Sequence, residues 1–200
     1  MKRIAIFASG SGSNFEAIAK ASVWSDAYEV VLLFSDRPEA YALNRAEQLG
    51  IEAQVYEPSH YPDKRSYEAD ILALLIRHRV DLVVLAGYMR LVGETLLQPY
   101  QNRIINIHPS LLPLFPGLHA IENAIDVGAS QTGVTIHYVD EGMDTGPIIS
   151  QESIPIEPAD TYDTLKEKIQ KIEHRLYPET IEQMVRKDEL FVKTSLTERI

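Results

Sequence analysis

Apolar runs and helical stripes alternate along the first 110 residues. Lys2 to Ala8 is a short apolar run broken by a Gly and Ser cluster, after which Phe15, Ile18 and Ala19 recur at helical spacing, predicting strand, loop and helix. Glu29 to Phe34 (EVVLLF) reads as a second buried strand, Tyr41 to Leu49 as a helix closed by Gly50, and Glu52 to Tyr56 as a third strand. The stripe of Ile71, Leu74, Leu75 and His78 predicts a helix over Tyr67 to Val80, leading into the strand DLVVLAG at 81–87. RIINI at 103–107 is a fifth strand, ended by Pro109.

Strands that are apolar throughout, separated by helices, predict an α/β fold with a doubly wound, mostly parallel sheet and helices on both faces. Beyond the proline-rich PSLLPLFPG, a helix is predicted over Leu118 to Val127, then strands of alternating character over Thr132 to Val139 and Pro147 to Ile156. A last amphipathic helix is predicted from Thr161 to Tyr177, with Leu165, Ile169, Ile172 and Leu176 inward and Pro178 interrupting it. No repeat, low-complexity tract or linker divides the chain, so a single domain over 1–200 is expected.

Composition narrows the partners. With 200 residues, 45% hydrophobic and 24% charged, the chain has the make-up of an ordinary globular protein. No apolar run is long enough to span a bilayer and the first residues turn polar too soon for a signal peptide, so a cytoplasmic protein with no membrane partner is expected. The absence of Cys excludes disulfides, thiolate chemistry and any zinc site that needs sulfur. A net charge of -10 argues against nucleic acid as a partner but leaves room for a small phosphorylated ligand. The carboxylates are unevenly placed: between Arg103 and Lys166 there is no Lys or Arg, so no sequence neighbour opposes a positive charge on the histidines of that stretch.

Four groups of residues carry candidate chemistry. Ser9-Gly10-Ser11-Gly12-Ser13-Asn14 lies between the first strand and the first helix, where backbone N–H groups and the helix dipole favour a phosphate. It lacks the ending of a P-loop and the third Gly of the dinucleotide fingerprint, and a plain tight turn capped by Ser13 or Asn14 would read the same. Asn106 and His108, two apart at a strand end, leave the same face of the sheet and pair an amide donor with a titratable imidazole, as a tetrahedral oxyanion requires. A pair of backbone-satisfied strand-end residues is the alternative. Asp144 sits in a Gly- and Pro-bearing loop, where it can serve a histidine or simply face water. Gln170 and Glu173 stand together one helical turn apart, off the apolar stripe, and spacing alone favours a solvated face for them. His119, His137 and His174 have no ligand spacing, so no metal is assigned, and His137, inside an alternating strand, reads as structural.

These segments together resemble the phosphoribosylglycinamide formyltransferases of de novo purine synthesis. The similarity rests on SGSGSN, VVLAGYMRLV at 83–92, INIHPSLLPLFPGLHA at 105–120, GVTIHYVDEGMDTGPII at 133–149 and QKIEHRLYP at 170–178, and covers nearly the whole chain. The resemblance implies a Rossmann-like formyltransferase fold and transfer of formyl from the cosubstrate 10-formyltetrahydrofolate to the amine of 5'-phosphoribosylglycinamide, without metal or redox cofactor. It places catalysis on Asn106, His108 and Asp144, and the ribosylglycinamide on Gly12, Ser13, Asn14, Gln170 and Glu173. It places the folate against Met89, Arg90, Leu91, Val92, Asn106 and the loop of Asp140, Glu141, Gly142, Met143 and Asp144. Lys64, followed here by Arg65, takes the place of an Arg that contacts the glutamate tail, and Leu114 replaces a frequently polar residue. The Asn-x-His-Pro block is shared by enzymes that use this formyl donor. Another amine acceptor, water as acceptor in a hydrolase, and a phosphate-binding module without catalysis are therefore the competing readings. The expected length of a tRNA-directed enzyme or hydrolase exceeds this chain. Small-molecule partners and a monomer or homodimer are expected.

Overall fold

The uninterrupted apolar runs become the centre of one seven-stranded sheet in the computed structural model of the protein, which describes residues 1–187. β1 (Lys2–Phe7), β2 (Tyr28–Ser35), β3 (Ala53–Val55), β4 (Leu82–Leu85) and β5 (Ile104–His108) pair in parallel. β6 (Gln131–Tyr138) pairs antiparallel with β5, and β7 (Ile148–Pro155) antiparallel with β6. The order β3-β2-β1-β4-β5-β6-β7 changes direction at β1, which opens a crevice beyond the carboxyl ends of β1 and β4. Open α/β sheets bind their ligands at such a switch point.

Six helices cover the sheet: α1 (Ser13–Ser22), α2 (Ala42–Leu49), α3 (Lys64–Arg77), the short α4 (Glu94–Leu97), α5 (Ala120–Asp126) and α6 (Tyr162–Arg186). Side chains alternate between faces along each strand, so one run feeds two cores. Ile4, Ile6, Val84 and Ile105 pack with Phe15 and Ile18 of α1 and with Tyr177 and Ile181 of α6. Ala5, Phe7, Val83 and Leu85 pack on the other side with Tyr67, Ile71 and Leu74 of α3. The expected parallel α/β layout, its five leading strands and the Gly50 helix end, where φ is 66°, are all present.

The structure departs from expectation at several elements. α6 does not stop at Tyr177 but continues through Pro178 to Arg186. Pro178 gives no N–H to the carbonyl of His174, a cost of roughly 3 kcal/mol inside a helix. Ile181, Met184 and Val185 are buried beyond it, each contributing about 1.5–3 kcal/mol, so continuing the helix outweighs the defect. β6 is not half exposed either: all of Thr132 to His137 is buried. The chemical alternation is real, with Val134 and Ile136 in the core. The polar side is covered by the proline-rich segment, where Thr135 Oγ1 donates to Ser110 O (2.6 Å) and accepts from Leu112 N (3.1 Å). α3 begins at Lys64, three residues before the expected start, because the Asp63 carboxylate accepts from Ser66 N (2.7 Å) and caps it. His78 is not part of its buried stripe but forms its C-cap. α4 and a 3-10 turn at Pro58–His60 had no sequence expectation.

α6 also ties the middle of the sheet together. Tyr177, fully buried, donates its hydroxyl to Leu85 O (2.9 Å) in β4 and lies 3.3 Å from Ile105 O in β5. Tyr177→Phe keeps the ring and loses this bond, and is expected to lower the unfolding free energy by about 1 kcal/mol. Urea denaturation would show a lower midpoint with an unchanged slope; an unchanged midpoint would mean that the hydroxyl contributes nothing.

Candidate active site

The candidate residues lie on loops and strand ends at the carboxyl edge of the sheet. The first group follows β1. Gly12 is the N-cap of α1 at φ 70°, and a Cβ there would lie 2.6 Å from Ala42 Cβ at the start of α2, so only glycine serves. This conformation turns the chain into α1 with Ser13 and Asn14 as its first residues, whose N–H groups have no partner within the helix. The segment is pinned from outside: Ala42 N donates to Gly10 O (3.0 Å) and Arg45 Nε to Ser11 O (2.8 Å). A basic side chain therefore borders the loop, where sequence alone suggested backbone groups only.

The second group lies at the carboxyl end of β5. Asn106 and His108 do share a face, and β6 places His137 opposite Asn106 and Thr135 opposite His108. The 139–147 loop brings in Asp144, in the left-handed conformation at φ 55°, which Asp tolerates better than most side chains. Its Oδ2 accepts from Gly117 N (2.8 Å) and lies 3.4 Å from His108 Nδ1, while its Oδ1 lies 3.6 Å from His137 Nε2. Burial pushes this carboxyl up. The hydrogen bond from His137, the Gly117 amide and the two imidazole charges outweigh it and hold Asp144 below its usual range.

The ring nitrogens have separate duties. His108 Nε2 lies 2.8 Å from Phe115 O, which only accepts, so Nε2 keeps its proton in either charge state and Nδ1, facing Asp144, is the nitrogen that exchanges one. His137 Nδ1 likewise donates to Tyr138 O (2.8 Å). With His137 neutral, its Nε2 accepts from Asn106 Nδ2 (3.2 Å), which leaves the second amide proton of Asn106 for a ligand; with His137 protonated, Nε2 faces Asp144 Oδ1 as a donor. His137, read as structural from its place in a strand, is buried and braces the Asn106 amide. The antiparallel register that sets it beside Asn106 has no local sequence signal.

Glu173 likewise leaves the solvated face expected of it. It is buried, and Asn14 Nδ2 donates to its Oε2 (2.9 Å), joining α6 to the start of α1. The signal was present: Leu165, Ile169, Tyr177 and Ile181 form one row at four-residue spacing, with Glu173 in it. Ile172, expected inward, is only half-buried, as is Gln170. Asn14 Oδ1 is buried without a protein partner and remains available to a ligand.

The flanking loops present apolar side chains. Met89, Leu91, Leu114, Leu118 and Met143 are each more than half exposed, whereas Val92 turns into the core and can offer only backbone. Arg90 lies over the Tyr67 ring. Asp140 is spent on its own loop, accepting from Gly142 N (3.1 Å) and Thr145 Oγ1 (2.7 Å), and Glu141 is exposed. Lys64 stands in the first turn of α3, 3.7 Å from Glu68, beside Gly93 at the end of the 86–93 loop. Among the described residues, no group of three or more His, Asp or Glu is arranged to hold a metal ion, and no helix is long and apolar enough to cross a membrane.

The open, mostly parallel α/β sheet is the fold of the formyl transferases, and residues 2–181 match the family model described as formyl transferase. Phosphoribosylglycinamide formyltransferase of Bacillus subtilis is 50% identical over 188 residues, 92% of this chain and 95% of its own length. The trifunctional purine biosynthetic protein adenosine-3 of Drosophila melanogaster is 40% identical over 187 residues, which make up 14% of that longer protein. The crystal structure of phosphoribosylglycinamide formyltransferase from Bacillus halodurans superposes with a TM-score of 0.91 at 54% identity, covering 96% of this chain and 100% of that one. The chain belongs to the phosphoribosylglycinamide formyltransferase family.

The buried carboxyl at Glu173 makes a pH-dependent contribution. Burial raises it and the Asn14 hydrogen bond only partly offsets this. Folding therefore favours the neutral acid, and that contribution is intact below the unfolded value near 4.5 and is lost as pH rises through the folded one. Glu173→Gln, which keeps an acceptor for Asn14, should gain melting temperature relative to the parent as pH goes from 4 to 8. Thermal melts showing a pH-independent difference would refute the assignment.

Proposed function

We propose that the chain transfers the formyl group of 10-formyltetrahydrofolate to the amine of 5'-phosphoribosylglycinamide, a step of de novo purine synthesis. The observation that carries this reading is the Asp144 carboxylate 3.4 Å from the exchanging nitrogen of His108, with a free Asn106 N–H on the same face of the sheet. The N–H groups of Gly12, Ser13 and Asn14 take the phosphate at the start of α1, with the helix dipole behind them. Asn14, Gln170 and Glu173 take the ribosylglycinamide. Folding leaves Asn14 Oδ1 unpartnered there and sets Glu173 against Asn14.

The folate fits the other side of the crevice. Met89, Leu91 and Met143 offer exposed apolar flanks to a flat ring, and the backbone of Arg90 to Val92 and of Asp140 to Asp144 offers hydrogen-bonding groups to its edges. Lys64 supplies the cation for the tail carboxylates. Bound there, the folate supplies the formyl carbon and leaves as tetrahydrofolate, while the acceptor leaves as its N-formyl product.

In the reaction a bond forms between the glycyl nitrogen and the formyl carbon, and the bond from that carbon to the folate nitrogen breaks. Asn106 Nδ2 and His108 Nδ1 donate to the carbonyl oxygen as it gains negative charge; one such donor is worth about 3–4 kcal/mol of barrier. Asp144 stabilises the protonated His108 and carries the proton lost by the amine toward the departing nitrogen. His137 holds Asn106 in the donating orientation, and Phe115 and Gly117 fix the His108 ring and Asp144.

The test supplies the formyl donor with and without phosphoribosylglycinamide and follows free tetrahydrofolate. Turnover is expected only with the acceptor present; acceptor-independent turnover would make the protein a hydrolase. Asp144→Asn tolerates the left-handed backbone and removes the charge together with one acceptor oxygen, so kcat should fall at least 100-fold with folate affinity nearly unchanged. A rate within about threefold of the parent, less than ~0.7 kcal/mol of barrier, would disprove the proton-handling role.

A further inference from the structure

The two ligand loops proposed above are separate in sequence, one after β1 and one after β4, and the reaction needs their ligands in register. Near-attack geometry requires reacting atoms about 3–3.5 Å apart, and a misplacement of about 1 Å costs ~100-fold in rate. One buried hydroxyl joins the loops. Ser9, 3% exposed, opens the phosphate loop; its Oγ accepts from Met89 N (2.9 Å) in the second loop and donates to Asp36 Oδ1 (2.5 Å) at the end of β2. Ser9 N donates to Gly87 O (3.0 Å), so the tie is made twice. Asp36 is itself 7% exposed. It fixes the hydroxyl's direction: with the proton committed to the carboxylate, the oxygen's lone pair must face Met89 N.

We infer that Ser9 and Asp36 are a positioning pair that sets the phosphate loop and the 86–93 loop in register. The inference rests on the proposed formyl transfer and deepens it, because neither residue touches the reacting atoms. The other end of the 86–93 loop is anchored in the same manner. The buried Glu68 carboxylate accepts from Gly93 N (2.7 Å), and a Cβ on Gly93 would lie 2.6 Å from Glu68 Oε2. Movement of the Met89 end is therefore not absorbed at the Gly93 end but passes into Met89 to Val92, where the folate is placed.

Steady-state kinetics on the full chain tests the pair. Ser9→Ala removes one buried oxygen and is expected to raise KM for both 10-formyltetrahydrofolate and phosphoribosylglycinamide at least fivefold. Asp36→Ala should do the same, the double variant no worse than either alone, and Asp36→Asn, which keeps the acceptor oxygen, should stay within twofold of the parent. Without substrates, amide hydrogen exchange at Met89 should be at least tenfold faster in Ser9→Ala. A rise in only one KM, additive losses in the double variant, or unchanged exchange at Met89 overturns the pairing. Normal transfer by the parent with parental KM values in Ser9→Ala overturns the pairing alone, whereas no transfer by the parent overturns the proposed function and the pairing with it.

Discussion

The carboxylate of Asp144 is the constraint around which the site is assembled. A negative charge under a loop costs several kcal/mol unless its oxygens are satisfied, and here the satisfaction comes from three separate segments. Gly117 N is supplied by the end of the proline-rich segment, His108 by β5 and His137 by β6. Each of these must be in place for the charge to be tolerated, so the loop, the two strands and the left-handed backbone at Asp144 form one unit. The same arrangement decides the chemistry, because every cationic partner of Asp144 among the described residues is an imidazole and none is a Lys or Arg. A guanidinium would fix the charge permanently, whereas an imidazole can give the proton away.

The fold explains why two substrates can be served by one edge of a sheet. Reversal of strand order at β1 sends the chain after β1 to α1 on one face of the sheet and the chain after β4 to α4 on the other, with the end of β5 beside β4. β5 also borders the antiparallel pair, and this is where Asn106 and His108 acquire His137 and Thr135 as neighbours. The proline-rich segment and α5 already separate β5 from β6 in the chain, so it is the antiparallel register that sets His137 opposite Asn106. The antiparallel addition at β6 and β7 is therefore functional in the same sense as the switch point: it doubles the number of titratable groups on a single face.

What could be read from the sequence followed the range of the interactions involved. The apolar runs of β1, β2, β4 and β5 and the glycine that ends α2 are local facts, and all appear where the pattern put them. Asn106 and His108 were legible as a pair because strand alternation is local too. Asp144 could be named, through the resemblance of its loop, but its distance to His108 depends on a hairpin closing across 36 positions and could not be derived. The partners of His137 could not be derived for the same reason, since they sit 31 and 7 residues away. The end of α6 was misread through a local rule that was correct in sign: Pro178 does weaken the helix, and the apolar row beyond it is stronger. Glu173 shows the converse, a charged residue inside an apolar row, where the row was the better guide to burial than the residue type.

The acidity of the chain now has a more specific meaning than the exclusion of nucleic acid. A protein of net charge -10 that holds a phosphorylated substrate needs local positive potential, and the structure supplies it without a cluster of basic side chains. The start of α1 contributes unpaired N–H groups and the dipole, and Arg45 lends a charge while its Nε is occupied by Ser11 O and its partner Glu16 reduces its reach. As the proposed phosphate site, the start of α1 acts at close range and offers little to a polyanion at long range, where the surplus of carboxylates dominates. Discrimination between a small phosphorylated ligand and a nucleic acid then follows from the length scale of the field, with backbone donors acting over one helical turn and net charge acting over the Debye length of about 8 Å and beyond.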